Sequence, residues 1–170
     1  RPGLQAEEVV GAESFYLKVR ADLPPLTDRR ARQALALAVD RQALLAWLGR
    51  GHGVPAGPLS PALVEWALTG ERLGPAARYY QPDPEPAGEL KAEAGLRGVG
   101  LKLRAPPAWF EALREQLGRV GVGLAAGDGS AELSLEAYGF FLDPDEQLTL
   151  MFEGSGSAPD PLLAEFIRRQ

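Results

Sequence analysis

The sequence holds one histidine and no cysteine, which narrows the chemistry that it could perform unaided. His52 stands in Gly49-Arg50-Gly51-His52-Gly53. A histidine acting as general base needs a nucleophile and an orienting carboxylate beside it. The sequence nominates neither, so a solvated loop histidine is the plainer reading. Zinc sites built from thiolates or several imidazoles are excluded. The glycines around His52 do not form a dinucleotide fingerprint. A helical pattern precedes them rather than a strand, and the third glycine falls at the wrong spacing.

Other chemistry-bearing stretches also have structural readings. Asp143-Pro144-Asp145-Glu146 begins like a calcium loop, but Leu148 occupies the position that needs glycine and Gly154 the one that needs glutamate. A helix cap at Asp143 explains it better. Gly154-Ser155-Gly156-Ser157 lacks the lysine of a phosphate loop and reads as a connector. Two aromatic clusters remain, Tyr79-Tyr80 and Tyr138-Gly139-Phe140-Phe141. The second follows a strand pattern and precedes a loop. Aromatic side chains there can wall a pocket, because strand ends in open α/β sheets border clefts.

These residues sit in a chain of 170 residues, 45% apolar, with a net charge of −5. Such a chain can bury a core and is neither disordered nor a polyanion binder by composition. No apolar run is long enough to span a bilayer. No secretion signal is visible and the first residue is not methionine, so a mature form or a fragment is expected. The absence of asparagine, with 3 Lys against 15 Arg and many prolines, points to a thermophilic source.

The elements that must position the candidates follow from periodicity. Strands are expected over 15–19, 99–104, 122–125 and 133–138, and a helix over 28–48 with a break at Asp40. Leu63 to Leu68 reads as a short helix, residues 74–86 as a proline-rich connector, and a brief helix surrounds Leu90 and ends at Gly95. Between the second and third strands, Trp109, Leu113, Leu117 and Val120 mark the buried face of a helix, giving a βαβ unit. Further helix starts lie at Asp143-Pro144 and Asp160-Pro161.

The order of motifs goes further. The run from Leu23-Pro24-Pro25-Leu26-Thr27-Asp28 through Arg32-Gln33-Ala34-Leu35 to Val39-Asp40-Arg41-Gln42-Ala43-Leu44 resembles the signature of extracellular solute-binding proteins of family 5. That family includes the oligopeptide- and dipeptide-binding proteins of bacterial ABC importers. Gly51-His52-Gly53-Val54-Pro55-Ala56-Gly57-Pro58 is similar to its glycine- and proline-rich loop. Asp83-Pro84-Glu85-Pro86 through Ala94-Gly95, the Gly121-Val122 turn and Asp143-Pro144-Asp145 follow in family order.

The resemblance implies an α/β fold, a periplasmic-binding-protein-like (type II) lobe with a central mixed sheet flanked by helices, over residues 1–170 as a single domain. It implies non-catalytic binding of a small peptide or other small solute, with no cofactor, no nucleic acid and no membrane insertion. An ABC permease is the implied partner of a full-length protein, in the periplasm or another extracytoplasmic space. Tyr138, Phe140, Phe141 and His52 are the implied ligand contacts. The chain departs from the family where peptide-binding members carry tryptophan and then aspartate. Tyr138 stands near the tryptophan's place, Phe140 near the aspartate's, and Leu135 where an arginine is common. Only Gly127-Asp128-Gly129-Ser130 stands where the family usually has another helix. Three other readings stay open: a cytoplasmic ligand-sensing domain of a transcriptional regulator, a degenerate binding-protein remnant, and an enzyme using His52.

Overall fold

The computed structural model describes residues 13–139 and 143–152, together with Glu7, Val9 and Gly11. Strand β1 covers Ser14–Val19, where apolar and polar residues alternate. Helix α1, Arg29–Ala38, starts at Asp28, whose carboxylate accepts the Arg30 N–H at 2.8 Å. Its apolar stripe, Ala31, Ala34, Leu35 and Ala38, is buried. The expected break then occurs. Val39 is extended, and Asp40 caps α2, Arg41–Leu48, by accepting the Ala43 N–H at 2.9 Å.

The break is held from a distance. Gln116 accepts a hydrogen bond from the Asp40 N–H at 2.9 Å and donates one to the Asp40 carbonyl at 3.2 Å. The Asp40 N–H, which loses its helical acceptor at the break, is thereby satisfied in a partly buried place, and the Asp40 carbonyl also accepts the Leu44 N–H at 3.1 Å. Gln116 is itself buried, on the face where the sequence pattern shows only apolar neighbours.

Residues 63–68 are not the expected helix. The N–H groups of Trp66 and Ala67 both bond the Leu63 carbonyl, and the turn goes no further. A single turn does not propagate without an apolar face to dock, and here only Leu63 and Ala67 are buried. The connector that follows contains a 3-10 stretch, Gly70–Tyr80, kinked at Gly74. Helix α3 is Pro84–Glu93. Pro84 and Pro86 both lie in its first turn, where backbone N–H groups have no intrahelical acceptor, so neither breaks it.

Strand β2, Gly100–Arg104, helix α4, Pro107–Arg119, and strand β3, Gly123–Ala126, form the expected βαβ unit, with β2 and β3 parallel. Strand β4, Leu133–Tyr138, is parallel to β2 and antiparallel to β1. The mixed sheet has the order β1-β4-β2-β3. Helix α5, Pro144–Phe152, closes the described chain. The core lies on one side of the sheet. Leu101, Leu103 and Leu133 meet Leu35 and Leu37 of α1, Ala87 of α3, and Leu113 and Leu117 of α4.

The chain crosses from β3 to β4 in residues 127–132, passing β2 on the way. Gly127 donates to the Leu103 carbonyl at 3.0 Å. A Cβ on Gly127 would stand 2.6 Å from the Ala131 Cβ and 3.0 Å from the Lys102 Cβ. The close approach therefore requires glycine. Gly127→Ala should destabilise the chain by about 1–3 kcal/mol, the usual cost of overpacking. Urea denaturation followed by circular dichroism measures it, and a loss under about 0.5 kcal/mol would show that the crossing can relax.

Candidate functional site

The register decides which side chains share a face. In β1 and β4, Tyr16 is opposite Glu136, Lys18 opposite Ser134 and Ser14 opposite Tyr138. Arg104 of β2 is opposite Ser134. Alternation puts all of these on the side of the sheet away from Leu103 and Leu133. Arg104 ends β2, and β4 continues beyond it. The set thus stands at the carboxyl end of the parallel strands, where open α/β sheets place ligands.

At the centre, Arg104 Nη2 meets Glu136 Oε1 at 2.5 Å, and the Ser134 hydroxyl donates to the same oxygen at 2.7 Å. Both members of the ion pair are partly exposed, so it fixes geometry more than it adds stability. Beside it, the Tyr16 and Tyr138 rings stack with centroids 4.5 Å apart and planes 5° from parallel. On the opposite side of β1, Phe15 stacks on Trp109 at the start of α4, with centroids 5.4 Å apart. Phe15 is nonetheless 53% exposed, which leaves aromatic surface at this end of the sheet.

Burial pushes the Tyr16 hydroxyl well above its ordinary range of about 10. Its hydrogen bond with Tyr138, and the charges of Tyr138 and Glu136, push it the same way. Tyr16 therefore stays neutral and acts through its ring and its hydroxyl hydrogen bond. Glu136 directs its charge to Arg104. Together these groups can stack a planar group, exchange hydrogen bonds and present guanidinium donors.

Of the expected contacts, Tyr138 lies in this cluster. Phe140 and Phe141 lie outside the described residues, as do Asp160-Pro161 and the Gly154–Ser157 stretch. His52 is exposed on the loop after α2, on a different element from Tyr138. Its N–H bonds the Gly49 carbonyl at 2.9 Å, and a Cβ on Gly49 would meet the His52 carbonyl oxygen at 2.6 Å. The glycines there shape a tight helix exit. Asp143 accepts the Asp145 N–H at 2.9 Å, as a cap should. Tyr79 packs against the core, and its hydroxyl accepts from Gln33 Nε2 at 2.6 Å.

Sequence reasoning missed Tyr16, Arg104 and Glu136. The alternation of Ser14, Tyr16 and Lys18 with Leu17 and Val19 was visible. The pairing of β1 with a strand more than a hundred residues away was not. Among the described residues, no three histidine, aspartate or glutamate side chains gather to hold a metal. No helix among them is long and apolar enough to cross a membrane.

Residues 1–124 match the family model described as bacterial extracellular solute-binding proteins, family 5 Middle. The dipeptide-binding protein of Escherichia coli (strain K12) is 35% identical over 101 residues, 59% of this chain and 18% of that protein. Heme-binding protein A of Haemophilus influenzae is 34% identical over 95 residues, 55% of this chain and 16% of that protein. Among solved structures, the ABC transporter-associated periplasmic binding protein DppA from Helicobacter pylori, in complex with the peptide STSA, superposes with a TM-score of 0.77 at 13% identity. That match covers 94% of this chain and 35% of the other. The chain thus spans only a minor part of each relative. The superposition shows the fold, that of the type II periplasmic binding proteins.

The Tyr16 environment sets an alkaline dependence. Its folded pKa lies above the unfolded value of about 10, so the unfolded chain releases this proton first. The stabilisation is complete below about pH 10 and falls as the pH rises above it. In a spectrophotometric titration of the folded chain, Tyr16→Phe should leave the tyrosinate signal near pH 10–11 unchanged. Loss of one tyrosine equivalent there would show that Tyr16 is solvated.

Proposed function

The chain belongs to the bacterial extracellular solute-binding proteins of family 5, and from that premise we propose that it is one ligand-holding lobe of a solute receptor serving an ABC importer. The proposed solute is a small peptide or a compound of similar size, bound without bond chemistry. The proposed setting is extracytoplasmic, with a permease as the partner of the whole protein.

One observation carries this reading. The stacked Tyr16–Tyr138 pair and the Arg104–Glu136–Ser134 cluster stand together at the carboxyl end of β2 and β4. They are preorganised by the ladder, so a ligand need not order them. Tyr138 is the proposed stacking contact. Phe140 and Phe141 follow it in the chain and are proposed with it, and His52 is offered from the loop after α2. Closure of a second body over this end would bury the remainder of the ligand, as hinged binding proteins do.

The reading predicts weak binding by this chain alone. A micromolar site is worth about 8 kcal/mol, and half of its contacts should leave a dissociation constant near or above millimolar. Nuclear magnetic resonance with a mixed set of di- to pentapeptides tests both affinity and place. Millimolar shifts should centre on Tyr16, Arg104 and Tyr138, and Tyr138→Ala should abolish them. Shifts elsewhere only, or none at high millimolar peptide, would refute the site. Micromolar binding would refute the one-lobe reading.

A further inference from the structure

A second arginine stands in a different condition from Arg104. Arg41 opens α2, and its guanidinium is turned back towards the end of α1. One nitrogen, Nη1, contacts the carbonyls of Ala36 at 3.3 Å and Val39 at 3.4 Å, both long for hydrogen bonds to a cation. The guanidinium carbon lies 5.3 Å from the centre of the Tyr80 ring, over its face. No carboxylate among the described residues pairs with it. Elsewhere among the described residues, arginines pair with nearby carboxylates: Arg20 with Asp22, Arg30 with Asp28, and Arg114 with Glu111.

Arg41 is also half-buried. A guanidinium has five N–H donors in a planar fork, and here two weak carbonyl contacts share a single nitrogen. Removing such a group from water without an anion is costly, and the fork matches a carboxylate in shape and charge. Gly57 packs close to the Tyr80 hydroxyl, and a Cβ there would come within 3.1 Å of it. Burial lowers the pKa of Arg41, but arginine remains charged at any working pH.

We propose that Arg41 and Tyr80, beside Gly57, form a carboxylate-binding site. The anion completes the guanidinium fork while Tyr80 supports its face. The carboxylate could come from a free small acid or from the carboxyl terminus of a peptide. The site is built from α2 and the 3-10 stretch, so it does not depend on the Tyr16–Tyr138 cluster of β1 and β4.

Sodium acetate titrated into the full chain tests this, with chloride holding the ionic strength constant and the Arg41 Nε–H resonance as the readout. A saturable shift is expected with acetate and none with acetamide, which has the shape without the charge. Acetate should raise the Tm of the wild-type chain above its value in chloride. Arg41→Gln should lose that rise, and Arg41→Lys should weaken it about tenfold, because an ammonium cannot offer a fork. Glycylglycine and its carboxyl-terminal amide separate the sources. A response to the acid that exceeds that to acetate assigns a peptide terminus, and equal responses assign any carboxylate. Tyr138→Ala should leave the acetate response intact, which separates this site from the proposed peptide contact. A shift linear in acetate and matched by chloride, or one given equally by acetamide, overturns the proposal. The acetate and acetamide comparison uses only the wild-type chain, so it stands even if a variant fails to fold.

Discussion

The brevity of the crossing between β3 and β4 governs the arrangement of the sheet. A parallel return to the start of the sheet takes a dozen residues or more, usually with a helix. Residues 127–132 are too few for that, so β4 has to begin where β3 ends. The register shows it: Ala126 of β3 and Leu133 of β4 both pair with Leu103 of β2. Only Leu103 and Arg104 are left to pair with β4. The Glu132 carboxylate accepts the Lys102 N–H at 2.9 Å, just before the level where the strand begins.

Everything at the candidate site follows from that offset. β4 projects past β2, and along its other edge β1 pairs with all six of its residues. The antiparallel pairing brings Tyr16 opposite Glu136 and close to Tyr138. Arg104, last in its strand, reaches Glu136 because β2 stops beside Ser134. The same geometry carries Phe15 to Trp109 at the start of α4. A helical crossing in place of residues 127–132 would let β4 start lower, and this end of the sheet would be assembled from other residues.

Much of the fold was legible in the sequence because its signals are local. The four strands and the break at Asp40 lie within a residue or so of where alternation, capping aspartates and helical spacing put them. The short helix expected over 63–68 failed because periodicity cannot report whether a docking surface exists. Gln116 was unreadable for a similar reason: its partner is the backbone of Asp40, and no side-chain pattern encodes that. The site was half legible. Tyr138 could be nominated from an aromatic cluster at a strand end. Tyr16, Arg104 and Glu136 join it only through long-range registry, which depends on a loop length and on the pairing of the first strand with the last.

The two arginines show how position sets what a guanidinium can do. Arg104 is exposed and paired, so its charge is largely spent within the protein and its value lies in fixed geometry. Glu136, the carboxylate at the strand ends, is neutralised by the same contact, so this end of the sheet does not present a bare anion to a ligand's amino group. The recognition proposed there would lean on ring stacking and hydrogen bonding, interactions that tolerate varied side chains. Arg41 is more deeply placed and meets no carboxylate among the described residues, so most of its donors remain to be used. A surface with an overall charge of −5 would be expected to silence its arginines with nearby acids. It does so at Asp22, Asp28 and Glu111. That a half-buried guanidinium meets only two long carbonyl contacts and the face of Tyr80 among the described residues gives Arg41 its weight, because desolvation makes an unpaired charge there count for more than one at the surface.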